Sequence, residues 1–346
     1  MTHISFPSIN QFRQVVKGVC GSAQYHDVAV PTIQYEGTVK SHGTNGGIIR
    51  PAYTSADKIY FQSRERILSI ESDNAAFAFT QEGNREFWNN IFNRIELLIN
   101  PAAEDSVQIY GEWAGGSIQK GVGVSGLPKM FIIFGVRISK NAESSDWLDS
   151  TAFAAIFDAD KEARKALNVY TKYDFPTFYV DIDFNRPDIA QSIISDLTLQ
   201  VETECPVARY FRKEDSDLVG EGLVFTPVKK DLPFSVADKV FKSKGIKHSV
   251  SKVKTIGAVD TEKMESLHQF IDYAVTENRL LQGLEKMEET GVELTPENTG
   301  VFLRWILNDI IKEEIDTMRD SNLTPKDVTS KIANVARQFW FKQMEF

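Results

Sequence analysis

The chain has 346 residues, 42% of them apolar and 25% charged, a composition that fits a folded globular protein with length for two or three domains. No apolar run approaches the roughly 18–20 residues a membrane span needs, and the first residues show no basic start ahead of an apolar stretch, so neither a membrane anchor nor a secretory leader is expected. Two cysteines, Cys20 and Cys205, are too few for a disulfide framework, a cytoplasmic location is the expectation, and a formal charge of −9 argues against a surface built throughout for nucleic acid.

In chain order, the segments 34–40, 57–64, 105–113, 129–139, 177–184 and 222–229 are short, rich in Val, Ile, Phe and Tyr, and bounded by Gly, Pro or Asp, which predicts strands. Between the second and third of these, Phe87, Ile91, Ile95 and Leu98 recur at helical spacing, and further helices are predicted over 149–167 and 187–197. From Lys229 to Lys254 eight lysines (229, 230, 239, 242, 244, 247, 252 and 254) face only Asp231 and Asp238, a local excess of six positive charges in an acidic chain. Such a stretch is either a solvated loop or an attraction for polyphosphate. After about Thr261 strands give way to apolar stripes at helical spacing, among them Val301, Phe302, Trp305, Ile306 and Ile310, then Val328, Ile332, Val335, Ala336 and Phe339. The change of texture predicts a boundary near 255–265, with a mixed α and β domain over 1–258 and a helical domain over 259–346.

The densest chemistry lies in Lys40-Ser41-His42-Gly43-Thr44-Asn45-Gly46-Gly47, directly after a predicted strand. Glycines let a bound group approach the backbone, and a lysine beside them serves either as a point charge on phosphate or, once deprotonated, as a nucleophile. Glu112 stands at the end of a predicted strand before a glycine turn, and Glu221 at the start of another. Lys242 and Lys244 sit two apart, on one face if the segment is extended. A lysine, two carboxylates and a lysine pair together offer a nucleophile, oxygen ligands for a divalent cation and a clamp for phosphate. Singly, each has an ordinary structural explanation. The remaining histidines have no partner at ligand spacing.

Taken together, these residues resemble the covalent nucleotidyltransferases, and closely the RNA ligase 2 family of phages and trypanosome RNA editing. Lys40-Ser41-His42-Gly43-Thr44-Asn45 resembles motif I, Arg64 the arginine of motif Ia, and Glu112 with its continuation Ala114-Gly115-Gly116-Ser117-Ile118-Gln119-Lys120 motif III. Phe131 to Val136 resembles motif IIIa, Glu221-Gly222 motif IV, and Lys242-Ser243-Lys244 motif V. Gly135 departs from the pattern, since the family often has an acid after the motif IIIa phenylalanine, here Phe134.

The resemblance implies an α+β fold: a nucleotidyltransferase (ATP-grasp-like ligase) domain of antiparallel sheets flanked by helices, then a small all-α domain. It implies an ATP-dependent RNA ligase sealing 3′-hydroxyl and 5′-phosphate ends, at nicks in duplex RNA, through AMP on Lys40, in a monomer working in the cytoplasm (the host's, if phage-encoded). Lys242 and Lys244 would join Lys40 in catalysis. His42, Asn45, Arg64, Glu112, Phe134 and Glu221 would bind the nucleotide, with Phe134 stacking on adenine. Glu221 and Glu112 would hold Mg²⁺, for which Mn²⁺ can substitute. The rival expectations are a DNA ligase or capping enzyme with the same first step, and a non-catalytic protein that binds nucleic-acid ends.

Overall fold

The computed structural model describes residues 2–52, 59–139, 145–212, 218–228, 239–248 and 267–344. The elements run β1 (Asn10–Gln11), α1 (Phe12–Tyr25), β2 (Thr32–Lys40), β3 (Thr44–Arg50), β4 (Tyr60–Ser63), β5 (Ile67–Leu68), α2 (Phe77–Gly83), α3 (Arg85–Ile99), β6 (Ser106–Ala114), β7 (Met130–Ser139) and β8 (Ser145–Trp147). They continue with α4 (Ser150–Phe157), α5 (Lys161–Ala166), β9 (Val169–Thr171), β10 (Thr177–Asp183), α6 (Pro187–Thr203), α7 (Pro206–Phe211), β11 (Gly222–Pro227), β12 (Phe241–Lys244), α8 (Leu267–Ala274), α9 (Glu277–Glu289), α10 (Thr299–Asp320) and α11 (Pro325–Met344). The expected mixture of antiparallel sheets flanked by helices, followed by a helical region, is what the chain adopts. The helix expected over 149–167 is two, α4 and α5, with Asp158–Asp160 between them. Helix α1 and strand β3 were not expected.

Contacts divide the chain into two compact units, one of Met1–Asn185 with Ile193–Ser243, the other of Arg186–Ser192 with Lys244–Phe346. The boundary expected at 258/259 lies outside the described residues, as do Lys229, Lys230, Lys252 and Lys254 of the basic stretch.

The first unit is built on two sheets. One has the order β1-β12-β11-β2-β10, and the other β5-β4-β3-β6-β7-β8 with β9 also on β7. Strand β2 pairs antiparallel with β10 and β11, and β3 with β4 and β6, β4 with β5, β6 with β7 and β7 with β8 are antiparallel too, whereas β1 with β12 and β7 with β9 are parallel. The larger sheet buries one face under α2, α3 and α4. Along α3, Trp88, Ile91, Phe92 and Ile95 fall on one side at helical spacing and pack on Ile48, Ile109, Trp113, Phe131 and Ile133. Each such fully buried side chain contributes about 1.5–3 kcal/mol relative to exposure. In the smaller sheet the pleat sends Tyr35, Phe225 and Phe241 to one face, where they meet Phe12 and Phe184. The alternate residues of β2, Glu36, Thr38 and Lys40, therefore share the opposite face.

The second unit is held by its own core, in which Phe270, Phe302, Ile306, Ile310, Ile332 and Trp340 are fully buried. Arg279 is buried against Glu314, 3.4 Å away, and Asp309, 3.0 Å away, an internal charge cluster rather than a surface one. No helix among the described residues is long and apolar enough to cross a membrane.

Candidate active site

Lys40 is the last residue of β2 in the smaller sheet, and Thr44 the first of β3 in the larger one. Ser41, His42 and Gly43 are thus the link by which the chain passes from one sheet to the other. The link runs tight against β6: a Cβ on Gly43 would lie 2.3 Å from the Trp113 carbonyl oxygen, so only glycine fits. Asn74 ties down the far side by donating from Nδ2 to Thr44 Oγ1 at 2.9 Å.

Strand register brings the first carboxylate to the lysine. Gly222 of β11 stands opposite Lys40 of β2, which places Glu221 at the strand end beside it. Lys40 Nζ donates to Glu221 Oε2 at 2.7 Å, and His42 Nδ1 lies 3.1 Å from the same oxygen. The Glu221 side chain is 1% exposed and that of Lys40 23%. Burial works to lower the Lys40 pKa, but the charges of Glu221 and Glu112 and the bond to Glu221 outweigh it, with Arg64 acting on the side of burial. The net direction is upward, so the resting lysine is a firmly held ammonium. The cation that opposes this is Arg64, which follows directly on β4.

The second carboxylate is positioned by the larger sheet. Glu112 of β6 pairs directly with Asn45 of β3, so the two side chains share one face. Thus the one link carries Lys40 and His42 to Glu221 and leads into Asn45 opposite Glu112. Lys242 lies on β12, the neighbour of β11, and alternates with Phe241 and Ser243, whose side chains meet the aromatic core and Thr198. Lys244 falls in the second unit.

Phe134 owes its aim to a β-bulge. Tyr110 pairs with Gly135 but Gly111 with Ile133, leaving Phe134 as the extra residue of β7. It escapes the core formed by Ile133 and Val136, and its ring meets Phe6 edge-on at 5.0 Å. Gly135 has a physical reason as well: a Cβ there would come within 2.8 Å of the Trp147 ring.

Among the described residues, Ser41 Oγ in this link and Asn45 Oδ1 just beyond it are buried without a hydrogen-bond partner, and Ser41 is only 6% exposed. Buried polar groups are normally satisfied, so a pair of orphans beside a lysine marks a place for a ligand. Among the described residues no three His, Cys, Asp or Glu side chains form a metal cluster. Glu221 and Glu112 fit a hard cation that takes its other oxygens from phosphate and water. The sequence reading gave Gln119 no role. It is 7% exposed, and its Nε2 donates to the Gly43 carbonyl at 3.4 Å, a contact that spacing alone does not reveal.

Two sheets joined by a lysine-bearing link, with a buried carboxylate on that lysine, define a domain organised around one amine. The family model for RNA ligase matches residues 33–244, more than half of the chain and all of these side chains, and the chain belongs to that family. No curated protein matches the sequence. Among solved structures the chain is similar to a lysine-to-alanine mutant of Naegleria gruberi RNA ligase with ATP and Mn, at 16% identity and a TM-score of 0.43. A glutamate-to-alanine mutant of the same ligase with AMP and Mn gives 16% and 0.44, and the ligase with PPi 16% and 0.42. Each match covers 71% of this chain and 57% of the other.

Proposed function

We propose that this chain is an ATP-dependent RNA ligase that joins a 3′-hydroxyl to a 5′-phosphate at nicks in duplex RNA, through AMP carried on Lys40. The observation that carries the reading is the Lys40–Glu221–His42 group at the junction of the two sheets, inside the family match. The first unit would perform adenylation, with ATP as the substrate.

In the first step Lys40 Nζ attacks the α-phosphorus of ATP. An N–P bond forms, the P–O bond to pyrophosphate breaks, and the lysine proton leaves before attack. Glu221, already hydrogen-bonded to the ammonium, lies where it can take that proton, and His42 on the same carboxylate oxygen fixes its direction. Lys242 would counter charge on the α-phosphate oxygens, and Arg64 would position the phosphates. Asn45 Oδ1, an acceptor without a donor, suits a nucleotide hydroxyl, with Glu112 beside it. Mg²⁺ or Mn²⁺, held through Glu221 and Glu112, would supply positive charge against the leaving group. The AMP then passes to a 5′-phosphate oxygen, releasing Lys40, and the 3′-hydroxyl attacks that phosphorus and expels AMP.

Duplex RNA is recognised through its A-form shape and 2′-hydroxyls rather than its base sequence. A nicked RNA duplex with 3′-hydroxyl and 5′-phosphate ends, incubated with ATP and Mg²⁺, tests the reading. Sealing that requires both ends and ATP supports it, and no sealing of RNA alongside efficient sealing of DNA overturns it.

A further inference from the structure

Residues 2–7 form a strap that crosses the larger sheet on the face away from α3. Three side chains of that sheet reach out to its backbone. Tyr60 donates its hydroxyl to the Thr2 carbonyl at 2.6 Å, and Tyr110 to the Ile4 carbonyl at 2.7 Å. Gln62 exchanges two bonds with Ile4, donating from Nε2 at 2.6 Å and accepting at Oε1 at 3.2 Å. Tyr60, Gln62 and Tyr110 are all buried, so lifting the strap would cost three buried side chains their bonds to its backbone. The strap is a built part of the sheet.

What it delivers is a ring. Phe6 stands edge-on to Tyr110 at 5.3 Å, to Phe134 at 5.0 Å and to Trp147 at 5.5 Å. Trp147 can stand close only because residue 135 is glycine. The bulge turns Phe134 out of the core, and Phe6 is the ring that meets it there.

We infer that Phe6 is a positioning residue for nucleotide binding: it holds the Phe134 ring in place before the adenine arrives. The inference rests on the reading of Phe134 as the ring that stacks on adenine. A ring free to rotate would have to be ordered by the ligand, at a cost in affinity, and an edge-on neighbour pre-pays that ordering.

The test measures ATP binding by calorimetry in the presence of Mg²⁺, with Lys40→Ala as the parent so that no covalent product forms. Phe6→Leu keeps apolar bulk and removes the ring. It is expected to weaken ATP binding about 3- to 10-fold, the range an aromatic pair supports. Phe6→Tyr is expected to stay within about 2-fold of the parent, and Phe6→Leu is expected to add nothing to Phe134→Leu, because both remove one interaction. Unchanged affinity in Phe6→Leu, an equal loss in Phe6→Tyr, or losses that multiply in the double variant would overturn the inference. A parent that binds no adenine nucleotide would overturn the functional reading beneath it, a separate and recognisable outcome.

Discussion

The ammonium of Lys40 donates to the carboxylate of Glu221 at 2.7 Å across 181 residues of sequence, and His42 lies against the same oxygen. One carboxylate therefore governs both distinctive side chains of the link. Strand pairing makes this possible, because β11 returns beside β2 with Gly222 opposite Lys40.

Removing that charge while keeping the shape is the sharpest probe of the group. Glu221→Gln is expected to slow transfer of AMP from ATP to the protein by about 100-fold, the scale seen when one oriented electrostatic group is lost at a reacting centre. His42→Ala, which leaves the Lys40 contact intact, should cost less. Rates of label transfer from ATP labelled at the α-phosphate measure both, and a Glu221→Gln rate equal to the parent's would remove Glu221 from the chemistry.

Gly135 yields a stability prediction. An aspartate there would push into the Trp147 ring, since even a Cβ falls within 2.8 Å of it. Overpacking of this kind costs about 1–3 kcal/mol. Gly135→Asp should therefore lower the denaturant midpoint, and the same substitution made with Trp147→Ala should cost less than the two single losses together. Strict additivity in denaturant unfolding would show that the two sites do not meet.

Asp174 anchors buried Arg164, which donates from Nη1 at 2.5 Å and from Nη2 at 3.1 Å. Burial works to raise the Asp174 pKa, but the bonds from Arg164 and the Thr171 amide, with the charges of Arg164 and Lys165, hold it below the usual carboxylate value. Its stabilisation is therefore full above the unfolded pKa, near 3.9, and is lost as pH falls through the lower folded value. Asp174→Asn should cost about 3–5 kcal/mol at pH 7, because buried Arg164 would keep only the largely exposed Asp158, 3.9 Å away, as a charge partner. The gap to the unmodified chain should hold from pH 8 to 5 and narrow only below about pH 4. Urea unfolding at pH 7 and pH 3 checks this, and a gap that widens in acid would contradict the assignment.

Much of the frame was legible because β2, β6 and β7 are short runs rich in Val, Ile, Phe and Tyr, and α3 carries apolar residues at helical spacing. Strand β3 was not, because Thr44-Asn45-Gly46-Gly47 reads locally as a turn, while Gly46 is a glycine to leave room for Phe77 across the core. Helix α1 hides behind Val15, Val16, Gly18 and Gly21, poor helix formers held by a buried stripe of Phe12, Val15, Val19 and Ala23. At the site, Lys40, His42, Asn45, Glu112 and Glu221 stood out by residue type and neighbouring glycines. Their pairing did not, since the contact of Lys40 with Glu221 depends on register between strands far apart in sequence. The brace of Phe6 on Phe134 was hidden for the same reason, and by a bulge that no local pattern announces.

The central claim is that Lys40 carries AMP on its way to an RNA end. The direct measurement incubates the protein with Mg²⁺ and α-phosphate-labelled ATP, follows label on the denatured chain, and then chases with nicked duplex RNA. The account predicts acid-labile label that Lys40→Ala abolishes without loss of fold, and that the RNA discharges with strand joining. Label that persists in Lys40→Ala, or a folded protein that takes up no label from ATP, would contradict it.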